Sequence, residues 1–194
     1  MLYGKQQKTI FNMTLFLLVF LMTLQVGLVI IAFMIVYFMF FAVLSVPWVP
    51  TRKVYSEAML KLANVKPDDV VMDLGCGDAS ILIEAAKEFG VKRAFGIEAR
   101  YPLVLLARFR AKRVGVGDSV EIVCGNMYKE KWPEKVDVIA LYLFTEVNKK
   151  LEPLILDRYK SGTRVVSRAF TFSGLKLVDT TVVKGETLYF YQVP

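Results

Sequence analysis

The chain contains no histidine, only two cysteines, and no acidic residue before position 50. The first absence removes imidazole from acid–base work and from metal ligation. Together with the 48-residue gap between Cys76 and Cys124, it argues against zinc and haem. Charge of either sign is missing from Ile10 to Val46, a stretch built of Phe, Leu, Val, Ile and Met. That run far exceeds the roughly 18 apolar residues that mark a membrane helix. It is also too long for a signal peptide's apolar core, and no small-residue cleavage site follows it. The expectation is a flank at residues 1–9, a hydrophobic anchor at 10–46 and a soluble domain at 47–194.

A single helix over residues 10–46 would extend about 55 Å against a hydrocarbon slab of about 30 Å, so part of it should emerge or lie in the interface. A hairpin turning at Gln25-Val26-Gly27 is the alternative. Its arms are short for a crossing and its turn residues are poor, so the single-pass helix is favoured. Pro47 and Pro50 end the run, and Trp48 between them suits the headgroup level. Lys5 and Lys8 precede it, whereas Arg52, Lys53, Lys61 and Lys66 follow, which places the soluble domain on the cytoplasmic side. The net charge of +7 fits contact with an anionic bilayer. Lys and Arg are scattered rather than blocked, which argues against a nucleic-acid partner.

Beyond Pro50 the pattern alternates strand and helix, the mark of a mostly parallel sheet covered on both faces. Thr51 is expected to cap a helix reaching Asn64. Strands are expected at Val70–Leu74, Ala94–Glu98, Val120–Cys124, Val136–Leu143 and Thr163–Ala169. Between them lie helices at about Ala79–Phe89, Pro102–Val114 and Glu146–Tyr159, the second with a basic outer face of Arg108, Arg110, Lys112 and Arg113. Leu175–Val183 and Thr187–Val193 alternate around Lys184-Gly185-Glu186 and read as an antiparallel hairpin. The fold class is therefore α/β and Rossmann-like, five parallel strands plus a C-terminal hairpin, with an N-terminal transmembrane helix.

Val70-Val71-Met72-Asp73-Leu74-Gly75-Cys76-Gly77-Asp78 carries the chemistry. A Gly-x-Gly turn after a buried strand lets backbone approach a ligand closely. Asp73, just before that turn, would repel a pyrophosphate but suits a cofactor bearing a sulfonium and an ammonium. S-Adenosyl-L-methionine is the expected cofactor. Asp73, Gly75, Cys76, Gly77 and Asp78 would cradle its methionine portion, Glu98 would accept the ribose hydroxyls, and Asn126 and Met127 would flank the adenine. Cys76 reads as a small filler between two glycines. Tyr142 to Glu146 would line the methyl-transfer side.

Val49-Pro50-Thr51, the Asp73–Asp78 turn, Gly96-Ile97-Glu98, the run from Leu141 to Asn148 with Leu151-Glu152-Pro153, and Gly162 to Ser167 together resemble one group of class I methyltransferases. Its members are archaeal broad-specificity protein lysine methyltransferases and membrane-anchored enzymes that modify the ATP synthase c-subunit and the adenine nucleotide translocase. The resemblance covers about residues 47 to 175. It implies methyl transfer to lysine ε-amino groups of membrane or membrane-proximal proteins, with Tyr142, Glu146 and Thr51 as candidate catalytic residues. Asn126 departs from the acid often found at its position in class I enzymes. The Asp/Asn-Pro-Pro-aromatic signature of nucleic-acid amino methylation is absent. A lipid or small-molecule methyltransferase at the membrane surface is the alternative expectation.

Overall fold

The structure is a computed structural model that describes the backbone of residues 2–44 and 49–194 and the side chains of residues 11–39 and 49–194. The chain divides into two compact units, residues 1–48 and 49–194. The first is one helix, α1, Leu2–Leu44, 43 residues long. It runs unbroken through Gln25-Val26-Gly27, so the hairpin alternative is not adopted, and it takes in most of the expected flank. Phe11–Met39 is long and apolar enough to cross a membrane. The expectations for Pro47 and Trp48 lie outside the described residues.

The second unit holds a seven-stranded sheet in the order β3-β2-β1-β4-β5-β7-β6. Its strands are β1 Val70–Leu74, β2 Arg93–Glu98, β3 Val120–Cys124, β4 Val138–Leu141, β5 Arg164–Arg168, β6 Lys176–Val183 and β7 Glu186–Gln192. The first five are mutually parallel, and β7 runs antiparallel between β5 and β6. Buried apolar strands of this kind need cover on both faces. The helices α2 Lys53–Leu62, α3 Ser80–Glu88, α4 Tyr101–Arg113 and α5 Thr145–Arg158 supply it.

Period-two alternation divides the core. Val71, Ala94, Val138, Ala140 and Val166 face one side, packed with Met59 and Leu60 of α2, Leu82 of α3 and Val104 and Ala107 of α4. Met72, Leu74, Ile97, Ile139, Leu141 and Val165 face the other, against Leu151 and Ile155 of α5, Trp132 and Tyr159. Each fully buried Leu or Ile contributes about 1.5–3 kcal/mol, which makes these two layers the main favourable term. The strand order reverses between β1 and β4, and that is where a doubly wound sheet opens its crevice.

Three expectations are corrected. Arg52, not Thr51, precedes α2, with no side-chain cap, because the backbone remains extended there. Val136, Asp137, Tyr142 and Leu143 fall outside β4, which is only four residues long. Arg110 does not join the solvated face of α4; it turns inward to pair with Asp78, drawn by a buried acidic cluster. After β5, no helix covers the return. Glu152 of α5 instead accepts the backbone N–H groups of Ser173 and Gly174, both at 2.8 Å, and pins the connection to β6.

β2 passes directly beneath the glycine turn. A Cβ on Gly96 would lie 2.7 Å from both Cys76 Sγ and Leu82 Cδ1. Gly96→Ala is expected to destabilise the chain by about 1–3 kcal/mol through overpacking, measured as a lowered denaturant midpoint at unchanged slope. Adding Cys76→Ala is expected to restore part of the loss.

Candidate active site

The crevice is built on the turn between β1 and α3. Gly75 has φ +78° and Gly77 φ +55°, the left-handed region that costs a side-chain-bearing residue roughly 1–2 kcal/mol. Ala79, with φ +59°, accepts that strain at the start of α3. The turn is fastened to β2, since the N–H groups of Gly75 and Cys76 both donate to the Ile97 carbonyl, at 2.7 and 3.1 Å.

Glu98, at the end of β2, does more than the sequence implied. Its Oε2 accepts the Gly77 N–H at 3.0 Å, while Oε1 accepts the backbone N–H of Arg100 at 2.9 Å and its Nε at 3.0 Å. A carboxylate has about four lone-pair positions, so one remains for a further donor. A ribose diol, with two hydroxyls to donate, would therefore share or replace the Arg100 contact. Asp78 is likewise engaged: Oδ1 accepts the backbone N–H and hydroxyl of Ser80, and Oδ2 pairs with Arg110.

Asp73 is different. It is buried, and among the described residues no cation lies within ion-pair distance. Desolvation pushes its carboxyl well above the usual range, and the neighbouring charges of Glu98 and Asp78 push it further. Desolvation and the nearby Asp73 and Glu98 charges also raise the Cys76 thiol, which makes it an unreactive filler.

The remaining expected residues are placed as follows. Asn126 is exposed, and its Oδ1 accepts the Tyr128 N–H at 2.9 Å, so its side chain shapes its own loop. Met127 is half-buried, and its carbonyl accepts the Trp132 indole N–H at 2.7 Å. Tyr142 follows β4 and stacks on Phe170 with ring centroids 6.1 Å apart. Glu146 stands exposed on the first turn of α5, bonded to Lys149 at 2.8 Å, and that bond lowers its acid value. Thr51 is half-buried ahead of α2, with no side-chain bond to the glycine turn.

Three further residues join Tyr142. The Arg168 guanidinium lies 3.8 Å from the Tyr55 ring centroid and 4.1 Å from that of Tyr142, a cation between two aromatic faces. Glu186 of β7 grips it through two bonds of 2.6 and 2.9 Å. Arg168 is 5% exposed, and its Nη1 has no hydrogen-bond partner. Asn148 is wholly buried on α5, with both amide atoms unpartnered. Such orphaned polar atoms mark places where a ligand or water completes the bonding.

These features fit a sulfonium nucleoside. A close-approach glycine floor, a buried carboxyl without a countercation and an acid at the tip of β2 match its backbone, cationic centres and sugar. Comparison with known proteins decides the family, because residues 73–179 match the ANTKMT methyltransferase domain. The chain belongs to that family. A protein-lysine N-methyltransferase from Saccharolobus islandicus is 38% identical over 76% of this chain and 94% of its own length. The lysine N-methyltransferase of the ATP synthase c-subunit from Xenopus laevis is 30% identical over 66% of this chain. The adenine nucleotide translocase lysine N-methyltransferase of Mus musculus is 34% identical over 66% of this chain. This methyltransferase spans only 55% and 54% of those two relatives. A Salinibacter ruber crystal structure, described as an RNA methyltransferase with S-adenosyl-L-homocysteine, superposes with a TM-score of 0.72. It is 39% identical and covers 75% of this chain and 94% of its own. The cofactor is S-adenosyl-L-methionine, as the family and that ligand agree.

Asp73 supplies a pH test. In the free chain its folded acid value is raised, so it holds a proton above the usual carboxylate range; a cation beside it favours the ionised form. Binding must then release a proton, and cofactor affinity must rise with pH across that window. Calorimetry in buffers of differing ionisation enthalpy should detect the release, and Asp73→Asn should abolish both the release and the pH dependence.

Proposed function

We propose that the chain is a membrane-anchored methyltransferase acting on lysine ε-amino groups of membrane or membrane-proximal proteins. The observation that carries the methyl-transfer chemistry is the glycine-floored crevice with Asp73 buried and lacking a countercation among the described residues. The lysine target rests on the Saccharolobus relative, whose length this chain spans almost entirely. Anchoring rests on α1, whose 29-residue stretch Phe11–Met39 has a mean hydropathy of 2.7 in its most apolar window and no buried share there. The basic residues that follow α1 support a single pass with the catalytic unit on the cytoplasmic side.

When bound, S-adenosyl-L-methionine supplies an electrophilic methyl group, and the protein's task is to deliver an amine. A lysine of ordinary pKa about 10.4 costs roughly 4–5 kcal/mol to deprotonate at neutral pH. Tyr142, half-buried after β4, orients the incoming amine, and desolvation beside the cationic cofactor favours its neutral form. The Arg168–Glu186 pair holds that ring in place. Glu146, ionised and solvated, attracts the incoming ammonium rather than relaying its proton, because the Lys149 bond makes it a weaker base. Thr51 borders the entry to α2 and is assigned to closing over the cofactor's methionine tail. Proximity supplies much of the remaining rate.

RNA is a second reading, favoured by the description of the Salinibacter ruber structure. It is opposed by the scattered basic residues and the missing amino-methylation signature. Membranes, soluble protein and RNA incubated with labelled cofactor and then fractionated are expected to carry label in protein, on lysine by mass spectrometry. Label in lipid or RNA alone would overturn the lysine assignment. Glu146→Gln should raise KM roughly 2–10-fold at nearly constant kcat, the pattern of lost uniform binding. Tyr142→Ala should lower kcat roughly 10–100-fold, as expected when the acceptor is mispositioned.

A further inference from the structure

We propose that the outward face of α4 is a second membrane contact, which lays the catalytic unit against an anionic lipid surface. The 13-residue helix buries Val104, Ala107 and Ala111 against the sheet. Its opposite side ought to be polar in a water-facing helix. It carries Tyr101, Leu105, Leu106 and Phe109 instead, exposed by 59%, 48%, 38% and 62%. At 3.6 residues per turn these share one face, with Lys112 and Arg113 interleaved among them and Arg108 along one edge. No acid occurs between Glu98 and Asp118.

An exposed apolar face interspersed with long cations suits a helix lying in the headgroup region. The rings and leucines enter the acyl boundary, while the basic heads snorkel to phosphates. Charge selects the occupant. A protein partner docking on an apolar ridge does not require cations within it, whereas each cation gains from an anionic bilayer. Arg108 also donates to the Ile122 carbonyl at 2.6 Å, which leaves Lys112 and Arg113 as the principal headgroup contacts.

The contact would reach the crevice through two bonds already described. Arg100, immediately before α4, holds Glu98, and Arg110, within α4, holds Asp78. A surface that fixes α4 therefore fixes two acids of the cofactor site, and it directs the unit toward lysines near the bilayer. The inference deepens the proposed function and rests on its reading of α1 as a membrane helix.

The test uses the full chain with Phe109→Trp, or Leu105→Trp as an independent position, in vesicles of acyl-brominated phosphatidylcholine with or without phosphatidylglycerol. Relative to the parent chain, which retains Trp48 and Trp132, the new indole is expected to be quenched in anionic vesicles and far less in zwitterionic ones. Neutralising Lys112 and Arg113 should weaken the contact roughly fivefold per charge. A chain that floats with vesicles while the new indole stays unquenched overturns this inference and leaves the anchor standing. One that does not float overturns both. A blue shift in detergent that grows with protein concentration would assign the face to a second copy and overturn it as well.

Discussion

Everything in the cofactor crevice depends on how closely β2 approaches the glycine turn. With no side chain on Gly96, the Cys76 thiol and Leu82 can rest on the strand, and the Glu98 carboxylate reaches the Gly77 N–H. That bond converts a flexible loop into a fixed floor. It also gathers three carboxyl groups into a buried space where a low dielectric magnifies their repulsion. Two are compensated by guanidinium groups of the Arg100–Arg110 segment. Asp73 is left without a countercation among the described residues, and on the proposed reading a cationic ligand offsets that cost.

The cluster around Arg168 follows a different logic. Four separate elements converge on the Arg168 guanidinium: α2 through Tyr55, the segment after β4 through Tyr142, β5 through Arg168 itself, and β7 through Glu186. A bidentate arginine–carboxylate pair fixes an orientation, and two stacked rings fix a plane, so lysine could not replace Arg168 without losing both. The C-terminal hairpin thus does more than extend the sheet. By supplying Glu186 it fixes the guanidinium that holds Tyr55 and Tyr142.

Much of this is legible in the chain itself. Strand positions emerge from apolar runs bounded by turn residues, and the hairpin from alternation around Lys184-Gly185, because both signals are local. The glycine turn with Asp73 and Glu98 is equally readable, since one βαβ unit contains it all. Arg168 and Tyr55 are not. Their meeting needs α2 and β5 to pack across a sequence separation of more than a hundred residues, and neither residue type is distinctive alone. Arg110 escapes a reading by periodicity for a related reason: helical spacing places it at the border of the outer face, and only the tertiary position of Asp78 pulls it inward. Asn148 sits within a recognisable run, but burial without partners is a property that no sequence pattern displays.

The two units answer opposite solvent problems. Residues 49–194 bury their apolar side chains in two layers on a sheet, and the polar groups left inside are largely paired. α1 has no polar face to offer water anywhere along Phe11–Met39, and a helix apolar on every side is stable only when wholly enclosed. Twenty-nine residues at 1.5 Å each span about 44 Å, more than the hydrocarbon thickness of about 30 Å. On the proposed reading that excess is absorbed by tilt or by emergence into the interface. A substrate lysine near the bilayer then meets the crevice at high local concentration, so modest intrinsic affinity for the protein target would suffice.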